Sequence, residues 1–258
     1  MTERVTVITG ASSGIGAELA RIFAAHGHNT VLIARRADRL NQLADEIAAT
    51  GKSRPAVMVC DLSEPGACDR IDAALRAMNA EVETVVNNAG YGLFGEAAEL
   101  DRAQQLAMVD LNVRVLTDLT LRFADSLIRH RGGILNVASI ASFLPGPRMA
   151  VYYATKAYVL SFTEAMRGEL GPKGVRVTAL CPGTVPTEFQ GVAGFKPGLD
   201  SAVLNLSAAA VARAGYRGLM SNKRLVLPGV GVRMIPFMLR FAPRSLVLAS
   251  VARVQQKR

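Results

Sequence analysis

Short apolar runs alternate along this 258-residue chain with longer stretches whose apolar positions recur at helical spacing. A run of about four to eight apolar residues closed by turn formers reads as a strand buried on both faces. The pattern predicts strands over residues 4–9, 29–34, 56–60, 84–88, 133–138, 175–180 and 225–227. Between them it predicts helices over 14–26, 37–50, 65–78, 101–131, 151–170 and 208–220. Strand and helix in alternation make βαβ units, so the expected class is α/β: a three-layer, doubly wound parallel sheet of about seven strands. In such a sheet ligands bind beyond the carboxyl ends of the strands, where the strand order reverses. Gly10, Asp61, Gly90, Ser139 and the Pro182-Gly183 pair each follow a predicted strand, so several loops converge on one crevice.

Composition narrows this picture. Hydrophobic residues make up 50% of the chain and aromatics only 5%, which suits a core of Val, Ile, Leu and Ala. No Pro/Ser-rich linker or internal repeat interrupts the pattern, so one domain over 1–258 is expected, with 229–258 a helical extension. The three cysteines, Cys60, Cys68 and Cys181, are odd in number and lack metal-ligand spacing. With no apolar leader before the first strand, they imply a reduced, cytoplasmic setting, with Cys60 and Cys181 buried. His26, His28 and His130 read as unclustered surface or helix-end residues, and no metal site is indicated. The net charge is +9, yet residues 201–258 hold ten Lys or Arg and no acid, while residues 1–200 carry twenty basic and twenty-one acidic residues. The excess is local to the tail and has no interleaved aromatic stripe across the body, so nucleic acid is not an expected partner.

The first loop, Thr9-Gly10-Ala11-Ser12-Ser13-Gly14-Ile15-Gly16, joins a strand to a helix. Glycine there lets the backbone turn sharply and lets a pyrophosphate approach the free N–H groups of the helix. A chain that prefers NAD carries Asp or Glu about 20 residues further on, bonding the ribose hydroxyls. Here Ala34 stands at that point, followed by Arg35 and Arg36. A guanidinium can bond a 2′-phosphate that an acid would repel, so NADP is expected over NAD, with Arg35 the leading contact and Arg36 a solvated helix-start residue.

Midway along the chain, Tyr152 and Lys156 are four residues apart on a predicted helix, and Ser139 closes the preceding strand. That spacing puts phenol and ammonium on one face, where the cation favours the phenolate and makes it a usable acid-base group. Tyrosine four residues before lysine is also common on ordinary amphipathic helices, so the weight comes from the rest of the chain.

Taken together, Thr-Gly-x-x-x-Gly-x-Gly at 9–16, Asn87-Asn88-Ala89-Gly90, Asn112, Ser139, Tyr152-x-x-x-Lys156 and Pro182-Gly183 resemble the short-chain dehydrogenase/reductase family over nearly the whole chain. The resemblance implies a Rossmann fold and an oxidoreductase with Tyr152 as general acid in reduction and base in oxidation. It also implies that Ser139 polarises the carbonyl, that Lys156 favours the tyrosinate and bonds the nicotinamide ribose, and that Asn112 anchors a water in the proton relay. By the same resemblance the cofactor contacts are Gly10, Ser12, Ser13, Gly14, Ile15 and Gly16 in the first loop. Asp61 and Leu62 lie beside the adenine, Asn88, Ala89 and Gly90 follow the central strand, and Pro182, Gly183, Val185 and Thr187 reach the nicotinamide end. Asn87 is structural and Tyr153 a packing residue.

The substrate pocket is expected from Leu93, Phe94, residues 145–149 and residues 189–199, a largely apolar set apart from Lys196. This favours a hydrophobic ketone, aldehyde or alcohol over a charged sugar. The tail, with Pro228, Pro236 and Pro243 among basic and apolar residues, has charge-free runs far short of the roughly 20 residues a spanning helix needs. It suits one or two amphipathic helices that pack on a second subunit of a homodimer or homotetramer or cover the pocket, with peripheral contact to an anionic membrane ranking second. An epimerase or dehydratase of the extended branch and a non-catalytic NADP sensor are the rival readings.

Overall fold

The computed structural model describes residues 2–194 and 206–256. Seven strands form one sheet: β1 (Glu3–Thr9), β2 (Asn29–Ala34), β3 (Ala56–Val59), β4 (Ala80–Asn87), β5 (Gly133–Val137), β6 (Arg176–Leu180) and β7 (Leu225–Val226). Their order is β3-β2-β1-β4-β5-β6-β7 and every neighbouring pair is parallel. The chain winds outward from β1 to β3, then returns to place β4 on the other side of β1. The strand order therefore reverses between β1 and β4, and the loops after these strands open a crevice.

Strand side chains alternate between two apolar layers, because successive residues point to opposite faces. Ile8, Leu32, Val86, Leu135 and Leu180 pack beneath α1 (Gly14–Ala25), α2 (Ala37–Ala49) and α9 (Ala208–Met220). Val7, Val31, Val85, Ile134 and Val177 pack on the other face with α3 (Ala67–Ala77), α5 (Leu116–Arg122), α6 (Ala124–Arg129) and α7 (Ala150–Leu170). Both layers are covered, which is why the strands read as continuous apolar runs. A polar seam crosses the sheet. The Asn87 amide donates to Thr120 Oγ1 at 3.0 Å and to Asn136 Oδ1 at 2.9 Å, and the Asn136 amide donates to Thr163 Oγ1 at 2.9 Å.

The structure departs from the sequence pattern in several places. The helix expected over 101–131 is divided into α4 (Arg102–Val109), a π-helical turn at Asp110–Val115, α5 and α6. The wide turn carries Asn112, whose buried side chain is held by tertiary bonds that periodicity does not encode. Strand β4 begins at Ala80, four residues early, because Glu81 and Glu83 interrupt its apolar run while Val82 is buried. An additional short helix, α8 (Glu188–Ala193), follows β6. The tail forms α10 (Val230–Leu239) and α11 (Arg244–Gln256); Pro228 and Pro243 lie outside these helices, whereas Pro236 lies within α10. His26 and His28 are not separate, as expected, but converge on Tyr216, with ring centroids 4.4 and 6.1 Å away. All three cysteines are buried and free, and among the described residues no group of His, Cys, Asp and Glu forms a metal site.

The crevice is stitched at its base. Thr9 Oγ1 accepts from the backbone N–H groups of Asn88 and Ala89, both at 3.0 Å, and Asn88 Nδ2 donates to the carbonyls of Thr9 at 3.0 Å and Gly10 at 3.2 Å. Gly10 takes a φ of +65°, and a Cβ on Gly16 would lie 2.2 Å from the Gly10 carbonyl oxygen and 2.5 Å from Asn88 Nδ2. Gly16→Ala is therefore expected to lower unfolding stability by about 1–3 kcal/mol, the range for overpacking a tight site. Urea denaturation followed by far-UV circular dichroism measures it, and an unchanged midpoint would refute the tight contact.

Candidate active site

The loops beyond β1 to β6 enclose a cavity of about 910 Å³. Its first half is the turn from β1 into α1. Ser13, the N-cap of α1, makes no side-chain cap bond, and no acidic residue lies in the first turn, so the helix presents free N–H donors. Gly10, Ser12, Ser13, Gly14 and Ile15 line the cavity, with Arg35, Asp61 and Leu62 at the ends of β2 and β3. Gly16 does not; it sits behind the loop against Gly10.

The two arginines after β2 differ from each other in their contacts. Arg35 projects outward, with a 74% exposed side chain and a guanidinium 3.9 Å from Asp61. Arg36 is not merely solvated: its guanidinium donates to Ser12 Oγ at 3.1 Å and to Glu188 at 2.8 Å. The bond with Arg36 holds the carboxyl of Glu188, from α8, below the usual glutamate range. A carboxylate thus occupies the guanidinium that stands beside the mouth of α1. Neither Glu188 nor the engagement of Arg36 was foreseen, since the pair is 152 residues apart in sequence.

The second half lies over β4 to β6. Asn88, Ala89 and Gly90 line the cavity on one side, and Pro182, Gly183, Val185 and Thr187 on the other. Helix α7 buries Tyr152, Thr155, Lys156, Val159 and Thr163, positions three or four apart that share a face, so Tyr152 and Lys156 enter the cavity together. Ser139, just beyond β5, caps a 3-10 turn over Ile140–Phe143, its Oγ accepting from Ala141 N at 3.1 Å, and it lines the same cavity as Tyr152 and Lys156.

Burial dominates the electrostatics here. It pushes the Tyr152 phenol well above the ordinary tyrosine value, against the pull of the nearby Ser139 hydroxyl. Lys156 Nζ lies 5.9 Å from the centroid of the Tyr152 ring and donates to the Val137 carbonyl at 2.8 Å. Burial pushes the lysine itself down to about 8 and raises the nearby Cys181 thiol to about 12.

Asn112 stands behind these groups without lining the cavity. Its amide is engaged in bonds to the Tyr91 backbone, with Oδ1 accepting at 3.1 Å and Nδ2 donating at 2.9 Å, and to Thr155 Oγ1 at 3.1 Å. A Cβ on Gly90 would come within 2.8 Å of Asn112 Oδ1 and 3.6 Å of Lys156 Nζ, so the three are packed in one layer.

The remaining wall is apolar. Of the residues expected there, Leu93, Met149 and Phe189 line it, joined by Leu144, while Phe94 packs nearby beneath the Arg148 guanidinium. The 195–199 part of that expectation, including Lys196, lies outside the described residues. The tail adds what the sequence did not single out as lining: Ile235 of α10 and Ser250, Val251, Val254 and Gln255 of α11.

A family model described as short chain dehydrogenase matches residues 4–194. A sulfoacetaldehyde reductase of Chromohalobacter salexigens is 37% identical over 72% of this chain and 74% of its own length. The serine 3-dehydrogenase of Agrobacterium fabrum is 34% identical over 71% and 72%, respectively. Among solved structures, a short-chain dehydrogenase from Sphingobium yanoikuyae in complex with NADPH superposes with a TM-score of 0.83 at 30% identity, covering 95% of this chain and 94% of that one. The bulky-bulky ketone specific alcohol dehydrogenase of Comamonas testosteroni superposes with a TM-score of 0.79 at 29% identity, with the same coverage. The chain belongs to the short-chain dehydrogenase/reductase family and is an oxidoreductase acting on CH–OH and C=O groups.

The residues present fit a nicotinamide dinucleotide. Gly10 and Gly14 line the cavity beside the N-terminus of α1, with the Ser12 and Ser13 hydroxyls and the guanidiniums of Arg35 and Arg36 about them, a donor set suited to phosphate. The Glu188 carboxylate occupies one of these donors, the Arg36 guanidinium. Glu188→Gln is therefore expected to tighten NADPH by about two- to fivefold, the scale of an exposed ion pair. Fluorescence titration gives the Kd, and an unchanged or weaker value would show that the carboxylate does not compete.

Proposed function

We propose that this chain is an NADP(H)-dependent reductase of hydrophobic ketones or aldehydes, with Tyr152 as the proton donor in reduction and the base in the reverse direction. The observation that carries the reading is the meeting of Ser139, Tyr152 and Lys156 in one cavity, where a dinucleotide-sized crevice joins an apolar pocket. When bound, the nicotinamide cofactor supplies or accepts the hydride.

Each side chain has a defined task in this reading. Leu93, Met149, Phe189 and Val251 exclude water and accept an apolar substrate body. Ser139 Oγ–H and Tyr152 Oη–H converge on the substrate oxygen. Burial keeps the phenol protonated at neutral pH, which is the form a reduction needs. As the phenol gives its proton to the substrate oxygen, negative charge develops on Oη, and the Lys156 ammonium one helical turn away stabilises it. Asn112 is a positioning residue: through Thr155 and the Tyr91 backbone it fixes the layer in which Lys156 stands. Gly10, Gly14 and the N-terminus of α1 hold the pyrophosphate, with Asp61 and Leu62 beside the adenine.

The preference for NADP is supported by the absence of an acid at Ala34 and by Arg35 and Arg36 beyond it. A sulfoacetaldehyde reductase and a bulky ketone dehydrogenase among the relatives support carbonyl chemistry, and the apolar wall supports the second kind of substrate over the first. Of the roles expected of the tail, covering the pocket is the one that Ile235, Val251 and Val254 support.

Tyr152→Phe is expected to retain NADPH binding and to lose turnover of a ketone panel by at least about a hundredfold, the usual scale of general acid catalysis. NADPH oxidation at 340 nm measures it; near-normal turnover would remove the phenol from the mechanism, and a wild type that consumes no NADPH with any carbonyl compound would favour a dinucleotide sensor. Arg35→Ala is expected to raise the KM for NADPH about tenfold while leaving that for NADH unchanged, the signature of a lost charge-assisted phosphate contact. Equal effects on both cofactors would assign the discrimination elsewhere.

A further inference from the structure

Gln255 is where the last helix meets the catalytic one. Its Nε2 donates to the Tyr153 hydroxyl at 3.0 Å, and its backbone carbonyl accepts from Arg148 Nη1 at 3.4 Å. The residue is only 1% exposed, it contributes to the lining of the cavity, and its Oε1 has no hydrogen-bond partner. Around it the tail offers the cavity the apolar Val251, Val254 and Ile235, with the Ser250 hydroxyl the other polar side chain it contributes.

A buried amide oxygen without a donor is costly, and native structures keep such groups where something else satisfies them. The terminal torsion of a glutamine is broad, so the amide can turn, exchanging its bond to Tyr153, to present Oε1 to a neighbour in the cavity without moving the helix. Charge limits what that neighbour is. Arg148 stands against the same residue with its Nε buried and unpartnered, and Lys156 occupies the same cavity, so a second cation is disfavoured and a neutral donor is not.

We propose that Gln255 is a specificity-determining residue whose side-chain carbonyl accepts a hydrogen bond from a neutral hydroxyl or amide N–H carried by the substrate away from its reacting carbonyl. This rests on the carbonyl-reductase reading above and narrows its substrate class to ketones or aldehydes that are apolar near the reacting centre and bear a polar donor at a distance. The preference follows from geometry: a substrate lacking the donor leaves Oε1 unpaired, and one carrying it does not.

The test separates binding from turnover. Aryl alkyl ketones differing only in a remote ethyl, hydroxymethyl or methoxymethyl group are titrated by calorimetry into the full chain saturated with NADP⁺, where no reduction occurs. Wild type is expected to bind the hydroxymethyl ketone about tenfold more tightly than the ethyl one, the effect of one well-made hydrogen bond. In Gln255→Leu the two should bind alike. Gln255→Glu, which keeps an acceptor of the same length, should keep the preference, and it guards against a leucine variant that misfolds. An equal preference in wild type and Gln255→Leu, or a wild type that favours the methoxymethyl ketone as strongly as the hydroxymethyl one, overturns the proposal. Discrimination in binding without any NADPH-dependent turnover would sink the reductase reading and leave the role of Gln255 standing.

Discussion

The site depends on a seam of hydrogen bonds at the reversal of strand order. Thr9 ends β1 and Asn88 follows β4, and four bonds of 3.0–3.2 Å join the two strand ends through the threonine hydroxyl and the asparagine amide. Without that seam the glycine turn would have no fixed back wall, because a doubly wound sheet leaves its two central loops free to splay. With it, Gly10 holds its positive φ, Gly16 packs against the turn, and the N-terminus of α1 points into the crevice. The loops carrying Ser139 and Pro182 are then referenced to the same base through β5 and β6, with Ala138 N donating to Leu180 O at 2.8 Å and Ile140 N to Pro182 O at 2.9 Å.

Burial sets the protonation pattern of the reacting end. A buried phenol, a buried amine and a buried thiol all favour their neutral forms, so Tyr152 and Cys181 move up while Lys156 moves down. The ammonium is compensated by the Val137 carbonyl rather than by an acid. A carboxylate partner would have cancelled the cation; a carbonyl dipole steadies it and leaves its charge available to an oxyanion that forms nearby.

Much of this was legible in the chain and some was not, for reasons that are physical. The apolar runs located all the strands, since a parallel sheet covered on both faces leaves little room for polar interruption; where Glu81 and Glu83 intervene, the start of β4 was missed. The shared face of Tyr152 and Lys156 follows from helical geometry alone, but the direction in which the phenol shifts required knowing how deeply it is buried. The π-helical turn around Asn112 arises from bonds to Tyr91 and Thr155, partners 21 and 43 residues away, and a periodic pattern carries no trace of them. For the same reason Arg36 looked like a solvated charge, and neither Glu188 nor Gln255 stood out.

The roof of the pocket is made by residues 250–255. The turn after β1 and the group formed by Ser139, Tyr152 and Lys156 all lie in elements far upstream of α11. A change in α11 therefore reshapes the apolar end of the cavity while leaving every residue of the glycine turn and of that group as it is, so the two ends can vary independently in sequence.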